Sequence, residues 1–86
     1  MKTIADFKRA VTLGSKWHVY NHIYGADMGI RTVGKVQSNR FAFNTDRGTL
    51  CYCDFPTRDC VRFTDSGVEI YWPDGRHVLT YKAVQS

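Results

Sequence analysis

The sequence predicts an α+β domain in which one short N-terminal helix packs on a strongly curved antiparallel sheet of about six strands. Three observations lead to this prediction. An amphipathic stretch opens the chain, and short strand-like stretches follow it. The later strand-like stretches are separated by turns in which Asp comes just before Gly. With 86 residues and 14% aromatic side chains, residues 1–86 are expected to form a single domain with a small β-rich core. A sheet of this size can close into an SH3-like barrel.

The N-terminal stretch is predicted to be a helix from residue 3 to about residue 12. Thr3 is a good N-cap, and Ile4, Phe7 and Val11 recur at helical spacing. Gly14 is expected to end the helix. Because about three turns are too few for a stable isolated helix, its apolar side must dock on the sheet.

The rest of the chain divides into about six or seven short strands joined by tight turns, which is typical of a meander. Residues 25–29 are expected to be a flexible loop, and Gly34 is expected to mark a bulge in the following strand. Residues 57–59 are predicted to form a connector of one helical turn, and residues 83–86 a frayed tail. The predicted strands are Trp17–Tyr24, Ile30–Gln37, Phe41–Phe43, Leu50–Cys53, Cys60–Thr64, Val68–Trp72 and His77–Lys82.

The segment Val36–Pro56 is predicted to be a β-hairpin and the centre of the scaffold. Phe41 and Phe43 lie on one face of its first arm, and we expect them to pack under Phe7 and Val11 of the helix. The cysteines of the second arm are expected to fill space in the same core.

The alternating pattern of the first strand separates a core face from an outer face. The residues expected in the core are Trp17, Val19, Asn21 and Ile23. The outer face carries semi-polar rings, at His18, Tyr20, His22 and Tyr24. This stripe is compatible with a contact surface, but half-buried Tyr and His are also common on strands that bind nothing. In the strand Val68–Trp72, Trp72 is expected to point inward and Tyr71 outward.

The net charge of +4 lies in the first half of the chain. Residues 1–43 carry seven basic and two acidic side chains, whereas residues 44–86 carry five basic and six acidic ones. A basic half is compatible with a polyanion or an acidic protein surface as partner, and also with a solvated surface that has no binding role.

Several classes of protein are excluded by missing signals. No apolar stretch approaches the ~18 residues of a transmembrane helix, and the N-terminus lacks the apolar segment of a secretory signal, so we expect a cytoplasmic protein that binds no membrane. The glycine-rich stretch at residues 25–29 lacks the Gly-Lys-Ser/Thr of a phosphate loop and the glycine pattern of a dinucleotide site. No cofactor is predicted.

The cysteines Cys51, Cys53 and Cys60 are predicted to be reduced and packed as small apolar side chains. Zinc binding stays open as an alternative, because Cys51-x-Cys53 is half of a possible site. His18 and His22 do not add to it, since residues four apart on a strand are separated by roughly 13 Å. No metal site is therefore predicted.

No motif indicates catalysis. No recognisable signature surrounds the cysteines, and Asp46, Asp65 and Asp74 are explained by turn formation. A small curved sheet is also expected to leave little room for a pocket of several hundred cubic ångströms. No catalytic residue is predicted.

The residues therefore predict a non-enzymatic binding protein. One version is a module that lays a sheet face or an edge strand on a protein partner. The alternative is a module for RNA or single-stranded DNA, in which rings stack on bases and cations meet phosphates. The predicted binding residues are Lys16, His18, Tyr20, His22, Tyr24, Arg31, Lys35, Arg40 and Tyr71.

Several stretches occur in a recognisable order: a helix TIADFKRAV, a turn GSKW, a hairpin of VQSNRFAF and CYCDFP, and a closing hairpin VEIYWPDGRHVLTY. This order resembles small uncharacterised proteins of phages and mobile elements, a group that includes anti-CRISPR inhibitors. The resemblance implies a non-catalytic protein in the host cytoplasm that blocks a protein or ribonucleoprotein complex of the host. It assigns no role to any single residue, and the two cysteine positions of CYC are not cysteines in that pattern.

Overall fold

The structure is a computed structural model that describes residues 2–84. Over these residues it has one α-helix and seven strands, all paired antiparallel in a single strongly curled sheet that forms a half-barrel. The predicted α+β class with a curved antiparallel sheet is therefore confirmed. The SH3-like barrel stays a prediction.

The strand order divides the sheet into two meanders that meet where the first strand pairs with the last. The order is β4-β3-β2-β1-β7-β6-β5, so the sheet is not one continuous meander. The elements are α1 (Ile4–Ala10), β1 (Lys16–Asn21), β2 (Ala26–Val36), β3 (Arg40–Asn44), β4 (Leu50–Asp54), a 3₁₀ turn (Arg58–Cys60), β5 (Val61–Phe63), β6 (Gly67–Tyr71) and β7 (His77–Ala83).

Helix α1 begins as predicted and ends earlier. Thr3 is the N-cap, and its hydroxyl accepts a hydrogen bond from the backbone N–H of Asp6 at 3.1 Å. The helix ends at Ala10 because Val11 leaves helical geometry, with φ −82° and ψ 81°, and turns its side chain into the core. Gly14, which the sequence marked as the stop, lies beyond the helix, where its N–H donates to the Val33 carbonyl oxygen.

Phe7 is the centre of the core between α1 and the sheet. It is fully buried, and its ring lies 5.5–6.1 Å from the rings of Trp17, Phe41, Phe55 and Tyr81. Aromatic rings at these distances attract one another beyond the area that they bury. The predicted packing of the Val36–Pro56 hairpin under the helix is therefore confirmed for Phe7 and Phe41. The buried apolar residues that complete this cluster are Val11, Val19, Val33, Phe43 and Val68.

Strand β1 is shorter than predicted because Asn21 starts a turn. Its side-chain carbonyl oxygen accepts hydrogen bonds from the backbone N–H groups of Ile23 at 2.9 Å and Tyr24 at 3.3 Å. Such a local bond competes with strand pairing, so residues 22–25 form a turn. Two predictions are corrected by it: Ile23 is 41% exposed rather than in the core, and the expected loop at residues 25–29 is mostly the beginning of β2.

The other boundaries agree in part with the predictions. A register shift between Val33 and Lys35 confirms the bulge at Gly34, and the expected helical turn after Pro56 is the 3₁₀ turn. Trp72 follows the end of β6 and is 42% exposed, so its predicted inward position is wrong. In the described part of the predicted tail, Ala83 belongs to β7 and the N–H of Val84 donates to the Lys16 carbonyl oxygen. Residues 85 and 86 lie outside the described residues.

Over residues 2–84, no helix has the length and apolar character needed to cross a membrane.

Candidate binding surface

Four aromatic rings form a row on the outer face of the half-barrel, opposite the core. Tyr20, His22, His77 and Tyr71 follow one another with centroid separations of 4.5, 3.7 and 4.6 Å, and we call them the ring row. The last two pairs are stacked nearly parallel, at 22° and 16°. The guanidinium of Arg62 lies over the Tyr71 ring, 5.0 Å from its centroid. The row therefore ends in a cation–π contact.

Strand pairing explains why these residues meet although they are far apart in sequence. Tyr71 of β6 pairs directly with His77 of β7, so their side chains stand on the same face as a cross-strand pair. On the other side of β7, the backbone N–H of His22 donates to the Val78 carbonyl oxygen at 2.8 Å. This bond holds the residue after β1 against the start of β7.

A threonine hydroxyl links the two histidines of the ring row. The Oγ1 of Thr80 lies 2.8 Å from Nε2 of His22 and 3.1 Å from Nε2 of His77. Because a hydroxyl donates only one hydrogen but can accept two, at least one of the two Nε2 atoms must carry a hydrogen and donate it to Thr80. The pKa of His22 is lowered, first by desolvation and then by the neighbouring His77.

Acidic side chains fix the orientation of Tyr71, which is in the ring row, and of His18, which lies beside it. The phenol of Tyr71 donates to Oε1 of Glu69 at 3.2 Å, and its pKa is raised by desolvation and by that carboxylate. His18 lies beside the ring row, with Nε2 2.7 Å from Oδ1 of Asp27. The N–H of Gly29 bonds to the same oxygen, and both contacts, Gly29 first, lower the pKa of Asp27.

The ring row borders a groove of about 400 Å³, which extends over β1, β7 and β6. The expectation that the sheet leaves little room for a pocket is therefore wrong, because a strongly curled sheet forms concavities beside its side-chain rows. The residues that line the groove are His18, Tyr20, His22, Glu69, His77, Thr80 and Lys82.

The structure divides the nine predicted binding residues among several places. It brings four of them together in or beside the ring row: His18, Tyr20, His22 and Tyr71. Lys16 is exposed at the beginning of β1. Tyr24 lies in the turn after β1, with 81% of its surface exposed, and not on the strand face to which it was assigned.

The three remaining predicted residues are separate from the ring row. Arg31 lines a cleft on the inner side of the half-barrel, near Asp46, so its grouping with the outer rings is wrong. Lys35 is exposed at the end of β2. Arg40 lies at the beginning of β3, where its guanidinium covers the ring of Tyr52 at 4.2 Å.

Sequence reasoning missed four residues of this surface: Glu69, His77, Thr80 and Lys82. The alternation of HVLTYK would have placed Thr80 and Lys82 outside, opposite the inward-facing Tyr81. The position of His77 depends on a register shift between Ile70 and Tyr71, for which the sequence carries no signal.

The ring row has no geometry for a metal ion. The row offers two imidazole nitrogens, both bonded to Thr80, whereas a structural zinc site needs four converging ligands. Among residues 2–84, no group of three or more His, Cys, Asp or Glu side chains is arranged to hold a metal. The three cysteines are free thiols, and burial raises the pKa of Cys53.

Comparison of this chain with protein-family models, with curated proteins and with solved structures found no match.

Proposed function

We propose that this protein is a non-enzymatic binding module that contacts a protein partner through the ring row and the adjoining groove. The observation that carries this proposal is the face-to-face stacking of His22, His77 and Tyr71. The stack and the hydrogen bonds to Thr80 and Glu69 hold these rings in fixed positions on the outer face of the sheet. Rigid aromatic side chains on a defined surface are typical anchors of protein interfaces.

The same stacking makes nucleic acid the less favoured partner. Bases bind aromatic side chains by stacking on flat ring faces. Here His77 is stacked with both His22 and Tyr71, and the Arg62 guanidinium lies over the Tyr71 ring. A base would have to displace one of these neighbours to stack on His77. The groove also contains both the carboxylate of Glu69 and the ammonium of Lys82, so these two groups give it no net positive charge to attract phosphates.

The resemblance to small proteins of phages and mobile elements indicates which partners to test first. We propose a protein subunit of a host defence complex, which the module would block by occupying its surface. The charge of +4 suits an acidic partner surface and would speed the encounter at low ionic strength.

Affinity purification from candidate host cells, with and without nuclease, tests the proposal. We expect wild-type protein to retain the same partner protein after nuclease treatment. His77→Ala should weaken that complex by about 2 kcal/mol, or roughly 30-fold, if the ring is a central anchor. Tyr24→Ala is the matched control, because that ring is 81% exposed and lies outside the row.

Circular dichroism should show that both variants remain folded, since each changes a side chain outside the core. Loss of all bound material on nuclease treatment would support the nucleic-acid alternative. Equal retention by wild type and His77→Ala would show that the partner binds elsewhere.

A further inference from the structure

A second cleft, of about 390 Å³, lies on the inner side of the half-barrel, on the opposite face of the sheet from the ring row. We call it the inner cleft. Its wall is mainly apolar and includes Val19, Phe43 and Leu79, and the thiol-bearing Cys51 lies on β4 at the same cleft. Volumes of about 300–1,000 Å³ with apolar walls and a few polar groups are typical of small-molecule sites.

Two arginines and one aspartate give the rim of the inner cleft a net positive charge. Arg31 donates through Nε to the Met28 carbonyl oxygen at 2.9 Å and through Nη1 to Oδ1 of Asp46 at 3.4 Å. A guanidinium has five N–H donors, so three have no protein acceptor within the described residues. Arg47 adds a second positive charge to the lining.

The ion pair at the rim leaves Arg31 available to a ligand. The Asp46 side chain is 94% exposed, while that of Arg31 is 24% exposed. Long ion pairs with an exposed carboxylate contribute little, because water and salt screen them. A second carboxylate held beside Arg31 by an apolar contact would make a stronger, charge-assisted pair.

We propose that the inner cleft binds a small amphipathic anion, an unbranched carboxylate whose chain contacts the apolar wall and whose head group binds Arg31. An anion is favoured over a cation because the rim has two positive side chains, Arg31 and Arg47, and one negative side chain, Asp46. The ligand is a free, monomeric molecule. The proposal does not depend on the ring row, which lies on the other face of the sheet.

Calorimetric titration with octanoate, 1-octanol and octyltrimethylammonium tests both parts of this site. We expect octanoate to bind 1:1 and each further methylene to tighten binding about four-fold until the cleft is full. The ammonium compound should bind at least about ten-fold more weakly than octanoate. Arg31→Gln should weaken octanoate binding about ten-fold or more and leave octanol binding unchanged.

Three results of these titrations would overturn the proposal. They are no saturable binding of octanoate, equal binding of the carboxylate and the ammonium, and unchanged octanoate affinity in Arg31→Gln. Association with anionic lipid vesicles in the absence of monomer binding would also overturn it, because the ligand would then be a membrane surface.

Thiol protection gives an independent readout in the same protein. Cys51 is exposed and lines the inner cleft, whereas Cys60 lies in the 3₁₀ turn outside the cleft lining. Cys53 should react slowly, because burial raises the pKa of its thiol. Saturating octanoate should slow alkylation of Cys51 by iodoacetamide several-fold and leave the rate at Cys60 unchanged. Equal rates at Cys51 with and without octanoate would contradict the proposed position of the chain.

Discussion

Replacing Phe7 with alanine tests whether α1 holds the half-barrel together. The Phe7 side chain is fully buried and lies against four other aromatic rings, so its removal leaves a cavity between the helix and the sheet. Substitutions of this kind cost about 3–5 kcal/mol. At about 0.05–0.15 kcal/mol per residue, a domain of 86 residues has a free energy of unfolding of roughly 4–13 kcal/mol. We therefore expect Phe7→Ala to remove a large part of the stability, or all of it.

Urea denaturation, followed by circular dichroism and tryptophan fluorescence, measures this loss. Trp17 is a suitable reporter, because its ring lies 5.5 Å from that of Phe7. Phe7→Leu keeps most of the volume and should cost less than Phe7→Ala, so it stays measurable if the alanine variant does not fold. Leu13→Ala is the matched control, since that side chain is 71% exposed and its removal should change stability by less than about 0.5 kcal/mol. A loss below about 1 kcal/mol for Phe7→Ala would refute the central position of this ring.

Three further predictions follow from other parts of the structure. A Cβ at Gly67 would lie 1.8 Å from a backbone carbonyl oxygen of β7, whereas the atoms close to a Cβ at Gly34 belong to side chains. Thermal denaturation should therefore show that Gly67→Ala lowers the free energy of unfolding by about 2–3 kcal/mol, and by more than Gly34→Ala does. The pKa of His22 is lower in the folded protein than its ordinary 6.5, so the unfolded chain binds its proton more readily and the free energy of unfolding should fall as the pH drops below about 7. This fall should be smaller in His22→Asn, and an identical pH profile of urea midpoints would contradict that reasoning. Phe43→Ala should destabilise the fold by about 3 kcal/mol or more, whereas Tyr20→Ala on the outer face should leave the melting temperature nearly unchanged; the reverse order would show that the outer rings are part of the scaffold.

Local patterns in the sequence were sufficient to predict the class of fold. The cap at Thr3, the helical spacing around Phe7 and the glycine turns are properties of neighbouring residues, and they appear in the structure near the positions predicted. The prediction failed at Asn21, where a side-chain hydrogen bond to the following backbone ended β1 before the alternating pattern did. Alternation reports which side chains suit a sheet, but it does not reveal this competing local bond.

The sequence by itself determined a small α+β domain with a basic N-terminal half and semi-polar rings on the outer face of its first strand. Only the tertiary structure decided which of those rings act together. Tyr20 and His22 meet His77 and Tyr71 because β1 pairs with β7 across more than fifty residues of chain, and β7 pairs in turn with β6. The pairing of β1 with β2 places Arg31 opposite the buried Trp17, on the inner face of the sheet and away from the rings with which it had been grouped. Strand pairing and curl arise from long-range packing on the Phe7 core, which no short segment of sequence encodes alone.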